Sequence, residues 1–164
     1  MFLGYQGEKI KFYTETPLDM SLYNLDKVEE TTNEYVLVGD EYVLATDVKA
    51  VNQAKEEKIV ENDTARDIAL NAGVTYKDVL FDSDTDQKVN LSAMYETMDE
   101  GDSVTWFGMD NQALVCTKED LFNIGALIMQ LHSFCWTKNA TIKAAINMAE
   151  TIEEVEAIEV DYES

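Results

Sequence analysis

Residues 117–155 read TKEDLFNIGALIMQLHSFCWTKNATIKAAINMAETIEEV, and this stretch decides the fold. Thr117 with Asp120 three positions on is a variant of the capping box that opens a helix. Apolar residues then recur at Leu121, Ile124, Ile128, Leu131, Cys135, Ile142, Ala145 and Ala149. Their spacing of three and four keeps one stripe facing inwards along a single long helix. Leu127, Phe134 and Met148 widen that stripe. Thr151-Ile152-Glu153-Glu154 is a second capping box, opening a short last helix, and an acidic tail over 159–164 is expected to fray. The long helix is the spine of the protein, with Trp106, Leu121, Ile128 and Leu131 expected to be buried together.

Upstream of the spine, the punctuation predicts two short hairpins. Val74 to Phe81 alternates imperfectly around Lys77-Asp78, and Ser103 to Met109 is joined to Gln112 to Cys116 by Asp110-Asn111, a dipeptide that tolerates tight turns. Between the hairpins, Asp84 or Thr85 caps a helix through Val89, Leu91, Met94 and Met98 that ends at Gly101. On the strand Ser103 to Met109, Trp106 and Phe107 point to opposite faces, so one belongs to the core.

The first third of the chain has a different character. Phe2 to Thr16 reads as extended, with Ile10, Phe12 and Tyr13 in a β-prone run closed by Pro17. Tyr35 to Leu44 places aromatic and branched residues on both sides of Gly39-Asp40, which predicts strand, turn, strand. From Thr46 the chain turns polar, with only Val48, Val51, Ala54, Ile59 and Val60 as an apolar stripe, so a polar helix is expected to run to the glycine at 73. The reading is an α+β protein. It has a small β docking element over 1–45, a connecting helix over 46–72, a domain of two hairpins packed on a long helix over 73–158, and the acidic tail.

The order of these elements, with Gly73-Val74-Thr75-Tyr76, Phe81-Asp82-Ser83-Asp84, Val104-Thr105-Trp106, His132 and the run from Ile142 to Val155, resembles a known family. It is the domain of unknown function found near the C-terminal ends of phage tail-fibre and tail-fibre-assembly proteins, and the resemblance covers about residues 62–158. What it implies is a place in a bacteriophage tail. It implies no chemistry, because the family carries none.

Composition bounds the function from the other side. Lys and Arg total 12 against 33 Asp and Glu, a formal net charge of −21, and Arg66 is the only arginine. Nucleic acid needs clustered cations to neutralise phosphates, and no such cluster exists, so no nucleic-acid partner is expected. The start of the chain meets Glu8 and Lys9 at once and does not read as a signal peptide. No run is long enough to cross a bilayer, so no membrane insertion is expected. Cys116 and Cys135 read as small core residues and make no disulfide framework.

The candidates for chemistry each have a plainer use. His132, the single histidine, lies next to Leu131 on the spine and reads as a hydrogen-bonded structural residue. Asp82-Ser83-Asp84-Thr85-Asp86 opens like a calcium loop, but Gln87 replaces the glycine of the sharp turn and Ala93 the bidentate glutamate, so these aspartates are expected to cap a helix. Asn139-Ala140-Thr141 matches a glycosylation acceptor only formally, inside the spine. No phosphate loop or nucleophile elbow is present, and neither an enzyme activity, a catalytic residue, a cofactor nor a metal is expected.

The expectation is therefore a structural component of the tail tip, baseplate or fibre attachment, made in the host cytoplasm and carried in the virion. It would act through contacts with other tail proteins or copies of itself. A tail-fibre assembly chaperone and a receptor- or glycan-binding tip module are the alternatives. At this net charge any docking contact needs locally apolar surface, for which Phe12, Tyr13, Tyr35, Leu37, Tyr42 and Leu44 are the candidates.

Overall fold

The computed structural model describes residues 1–163. The protein is α+β and divides into two compact units, residues 1–56 with 150–155, and residues 57–149 with the stretch from Glu156 onward.

In the first unit, the single extended run expected from Phe2 to Thr16 is instead two strands, β1 (Phe2–Gln6) and β2 (Lys9–Thr14), folded back at Gly7. Gly7 takes a positive φ of 63°, the turn conformation for which glycine carries no steric penalty. A third strand, β3 (Lys27–Glu30), pairs with the other edge of β1, so β1 is central in an antiparallel sheet. Between β2 and β3 lies a one-turn helix, α1 (Met20–Tyr23), capped by the Asp19 carboxylate. Leu3 and Leu25 are buried, and Leu18 and Leu25 approach Gly4 so closely that a Cβ there would meet both. The hydroxyl of Tyr5 donates to Glu29, and partial burial followed by this bond pushes its pKa up to about 12.

The expected hairpin at Tyr35 to Leu44 forms as β4 (Tyr35–Val38) and β5 (Glu41–Leu44), a separate two-stranded sheet with Gly39 at φ 62° in its turn. β5 leads straight into α2 (Ala45–Asn71), the polar helix. Its first part belongs to the first unit and its last part to the second. It ends at Asn71, and Gly73 just beyond it has φ 77°.

The second unit begins with the hairpin β6 (Val74–Tyr76) and β7 (Val79–Phe81), whose turn residues Lys77 and Asp78 both have positive φ, as a tight hairpin turn requires. Asp84 caps α3 (Thr85–Thr97) by accepting from the Gln87 amide, so the aspartates around 84 begin a helix as expected. The second hairpin is β8 (Ser103–Phe107) with β9 (Ala113–Thr117). Its loop is longer than the two-residue turn expected at Asp110-Asn111. The Gly108 amide still donates to the Gln112 carbonyl at 2.9 Å, so the loop closes over 109–111, and the Met109 amide turns out of the hairpin to donate to the Leu80 carbonyl of β7 at 2.8 Å.

The spine is α4 (Lys118–Met148), opened by the Thr117 and Asp120 capping box, and the last helix is α5 (Ile152–Glu156). In α5 the Thr151 hydroxyl caps Glu154, but the Glu154 carboxylate reaches the Glu150 amide, one residue before the cap.

The core of the second unit gathers Val79, Phe81, Leu91, Met98, Cys116, Leu121, Ile124 and Ile128. Two members of the expected quartet differ. Trp106 is half-buried and packs on the rim of this cluster, and Leu131 is also only half-buried. The buried line of α4 continues through Cys135, Asn139, Ile142 and Ile146. Ile146 takes the place expected of Ala145, and Met148 is 80% exposed.

Candidate functional site

The residues expected to dock a partner lie on β2, β4 and β5. Lys11 Nζ reaches the Asp40 carboxylate at 2.6 Å and the Asp40 carbonyl at 2.8 Å, and Lys9 pairs with Glu41 at 3.1 Å. These contacts tie β2 to the turn of the β4–β5 hairpin. Lys11 holds the Asp40 carboxyl below its ordinary pKa, and Glu41 raises that of Lys9. Each pair has one largely exposed partner, Asp40 and Lys9, so they fix a geometry more than they add stability.

Behind the ion pairs, Tyr13 stacks at 5.4 Å from Tyr35 and 5.9 Å from Tyr42, with both rings tilted. Its hydroxyl donates to the Asn33 carbonyl at 3.0 Å. Three of the six candidates therefore form one aromatic cluster. Leu44, paired with Tyr35 across the hairpin, is half-buried beside it. Phe12 points to the other face of β2, where it packs on Tyr23 at 5.1 Å and leaves the group.

Leu37 is the candidate that faces solvent, at 59% exposure, and it has neighbours that sequence reasoning did not nominate. Val36 and Val38 are also exposed, so all of β4 after Tyr35 shows apolar side chains on both faces. β4 pairs with β5 alone among the described strands, and its other edge carries unpaired backbone groups. The signal was legible in the run Val36-Leu37-Val38, but whether that run is core or edge depends on which strands cover it.

Two polar arrangements in the second unit were not anticipated. In the first, Asn62 is wholly buried, donates to the Asn139 carbonyl at 3.2 Å, and accepts from the Tyr162 hydroxyl at 2.7 Å. Beside it, Asp63 receives Lys143 at 2.7 Å, Arg66 at 2.9 Å and the Asn139 amide at 3.0 Å. Lys143 foremost holds its pKa down. The tail expected to fray is thus seated, with Tyr162 completing the bonds of Asn62. In the second arrangement, Asp120 accepts from Tyr76 at 2.8 Å, from Lys77 at 2.7 Å and from the Thr117 amide at 3.0 Å. The Lys77 ammonium, then the Thr117 amide, hold its carboxyl well below the usual range.

His132 Nε2 lies 3.0 Å from the Ser83 carbonyl, and the Ser83 hydroxyl itself donates to the Leu70 carbonyl. The ring joins the start of α3 to α4. Burial raises the pKa of both cysteine thiols, which lowers their reactivity. Among the described residues, no group of three His, Cys, Asp or Glu side chains is placed to hold a metal ion, and no helix is long and apolar enough to cross a membrane.

A family model described as a domain of unknown function (DUF4376) matches residues 53–163. The chain belongs to that family. The DUF4376 match takes in most of α2, both hairpins of the second unit, α3, α4 and the docked tail, and it excludes β1 to β5. No curated protein and no solved structure matches the chain significantly. The aromatic and β4 surface therefore lies outside the DUF4376 region, whereas the Asn62, Asp63 and Asp120 arrangements lie within it.

Proposed function

We propose that the protein is a structural component of a bacteriophage tail, at the tail tip, baseplate or fibre attachment, and that it acts by docking its N-terminal β part onto a neighbouring tail protein. The observation that carries this reading is β4: three consecutive exposed apolar residues on an unpaired edge, in a chain of net charge −21. Such an edge accepts a strand from a partner through main-chain hydrogen bonds, while alternate side chains enter pockets. The Tyr13, Tyr35 and Tyr42 cluster holds the hairpin rigid, which lowers the ordering cost of binding. The tail setting is supported by the resemblance of residues 62–158 to the domain of phage tail-fibre and fibre-assembly proteins.

Mass spectrometry of purified virions of the encoding phage tests the setting. Presence at fixed stoichiometry is expected, and absence from the particle replaces the reading with that of an assembly chaperone. Leu37→Asp with Val36→Asp tests the surface: the variant folds but is lost from the virion. Normal incorporation of that variant moves docking away from β4.

A further inference from the structure

We propose that the outward face of α4 is a self-association seam, pairing antiparallel with the same face of a second copy of this chain. Phe122, Met129 and Trp136 are 59%, 62% and 53% exposed, although α4 supplies the core of the second unit through its other side. They stand seven residues apart, on one line of the helix. Ala126, Ser133 and Ala140 interleave with them at the second position of the same heptad. The face therefore alternates large and small side chains over about 27 Å of helix.

This alternation fixes the orientation of the partner. With two copies antiparallel, a single register places Phe122 against Ala140 of the partner, Trp136 against Ala126 of the partner, and Met129 against Ser133 of the partner. Every layer then holds one large and one small residue, so the seam fills evenly. A parallel pair would stack Phe on Phe and Ala on Ala, giving overfull layers between voids, which close-packed interfaces do not tolerate. An antiparallel pair also has the two-fold symmetry of a closed dimer.

Charge selects a second copy as the occupant. The chain has 33 carboxylates, yet none lies between Leu121 and Met148. One flank of the seam is Asn123, Gln130 and Thr137, all neutral, and the other carries the cations Lys88, at the groove beside Phe122 and Met129, and Arg66, over Trp136. At net charge −21, two copies repel through their many carboxylates, and along this stretch of α4 a copy meets none from the partner's helix. Two further features suit the role. Arg66 lies over the Trp136 ring at 4.4 Å and presets its orientation. A groove of about 410 Å³ between α3 and α4, lined by Leu91, Tyr95, Phe122 and Met129 among others, opens beside the seam to receive the partner's side chains.

Sedimentation equilibrium of the full chain at about 50 μM, a concentration that populates a dimer of micromolar Kd, is expected to give twice the 18.5 kDa chain mass. Met129→Glu is expected to give the monomer with unchanged helical circular dichroism, and Ala140→Glu serves in its place should that variant misfold. Under oxidation, Met129→Cys with Ser133→Cys is expected to yield a covalent dimer, and Ser133→Cys alone is not. A monomeric wild type overturns the proposal, as does a dimer that survives both glutamate variants. Crosslinking by Ser133→Cys alone overturns the antiparallel register. The inference is independent of the tail reading: Leu37→Asp leaves the dimer intact, and its dissociation by that variant would place the self-contact on β4 instead.

Discussion

Gly73 carries two constraints at once. Its φ of 77° is one that a side chain resists, and a Cβ there would sit 2.3 Å from the Phe81 carbonyl oxygen, a backbone atom that cannot swing away. Gly39 has a similar φ of 62° but open space around it. Gly39→Ala is therefore expected to cost about 1 kcal/mol from the backbone conformation alone, and Gly73→Ala at least about 2 kcal/mol more. Urea denaturation of the two variants measures the difference, and equal costs would mean that β7 shifts freely. At Asp120 the residue scale sets a pH dependence. Its folded pKa lies below the unfolded value of about 4, so its stabilisation is complete above that value and is lost as pH falls through it towards the folded pKa. Melting temperatures taken from pH 6 down to about pH 2 are expected to fall more steeply for the wild type than for Asp120→Asn, which has no carboxylate to protonate. Parallel curves would show that Lys77 and the Thr117 cap act without its charge.

At the scale of elements, α4 was readable because its two ends carry capping residues and its apolar positions recur at helical spacing. What spacing left open was where the buried stripe is centred. Leu131 and Ala145 fit the period as well as Ile146 does, and only the positions of α2, α3 and the hairpins select among them. Ile128, fully buried at the centre of the cluster, is expected to cost about 2–5 kcal/mol on truncation to alanine, measured by chemical denaturation. A loss under about half a kcal/mol would move the core away from this turn. The tail is the element most misread from the sequence. Its acidic composition predicts fraying, but Tyr162 satisfies Asn62 at the contact of α2 with α4. Tyr162→Phe leaves the Asn62 carbonyl oxygen buried with one partner fewer, and is expected to cost about 1–3 kcal/mol in the same assay. Unchanged stability would mean that water replaces the hydroxyl.

For the whole molecule, net charge and the α4 face act against each other. Repulsion between two chains of −21 each is long-ranged and weakens as salt shortens the screening length, to about 10 Å at 0.1 M. The α4 face itself carries no carboxylate between Leu121 and Met148, so its apolar contacts change little with salt. Dimerisation is therefore expected to tighten as sodium chloride rises from about 20 to about 300 mM, followed by sedimentation, whereas an interface built on ion pairs would weaken. Sequence alone determined the acidic character of the chain, the α+β class, the caps of α3 and α4, and the glycine-marked turns at Gly39 and Gly73. Each of these rests on local backbone preference or on a sum over residues. Tertiary structure decided the fold-back of β1 and β2 onto β3, the partners of Asn62 and Asp63, the exposure of both faces of β4, and which side of α4 is left bare. Those depend on which segments cover one another, and a run such as Val36-Leu37-Val38 or a heptad such as Phe122, Met129 and Trp136 reads identically whether it is covered or open.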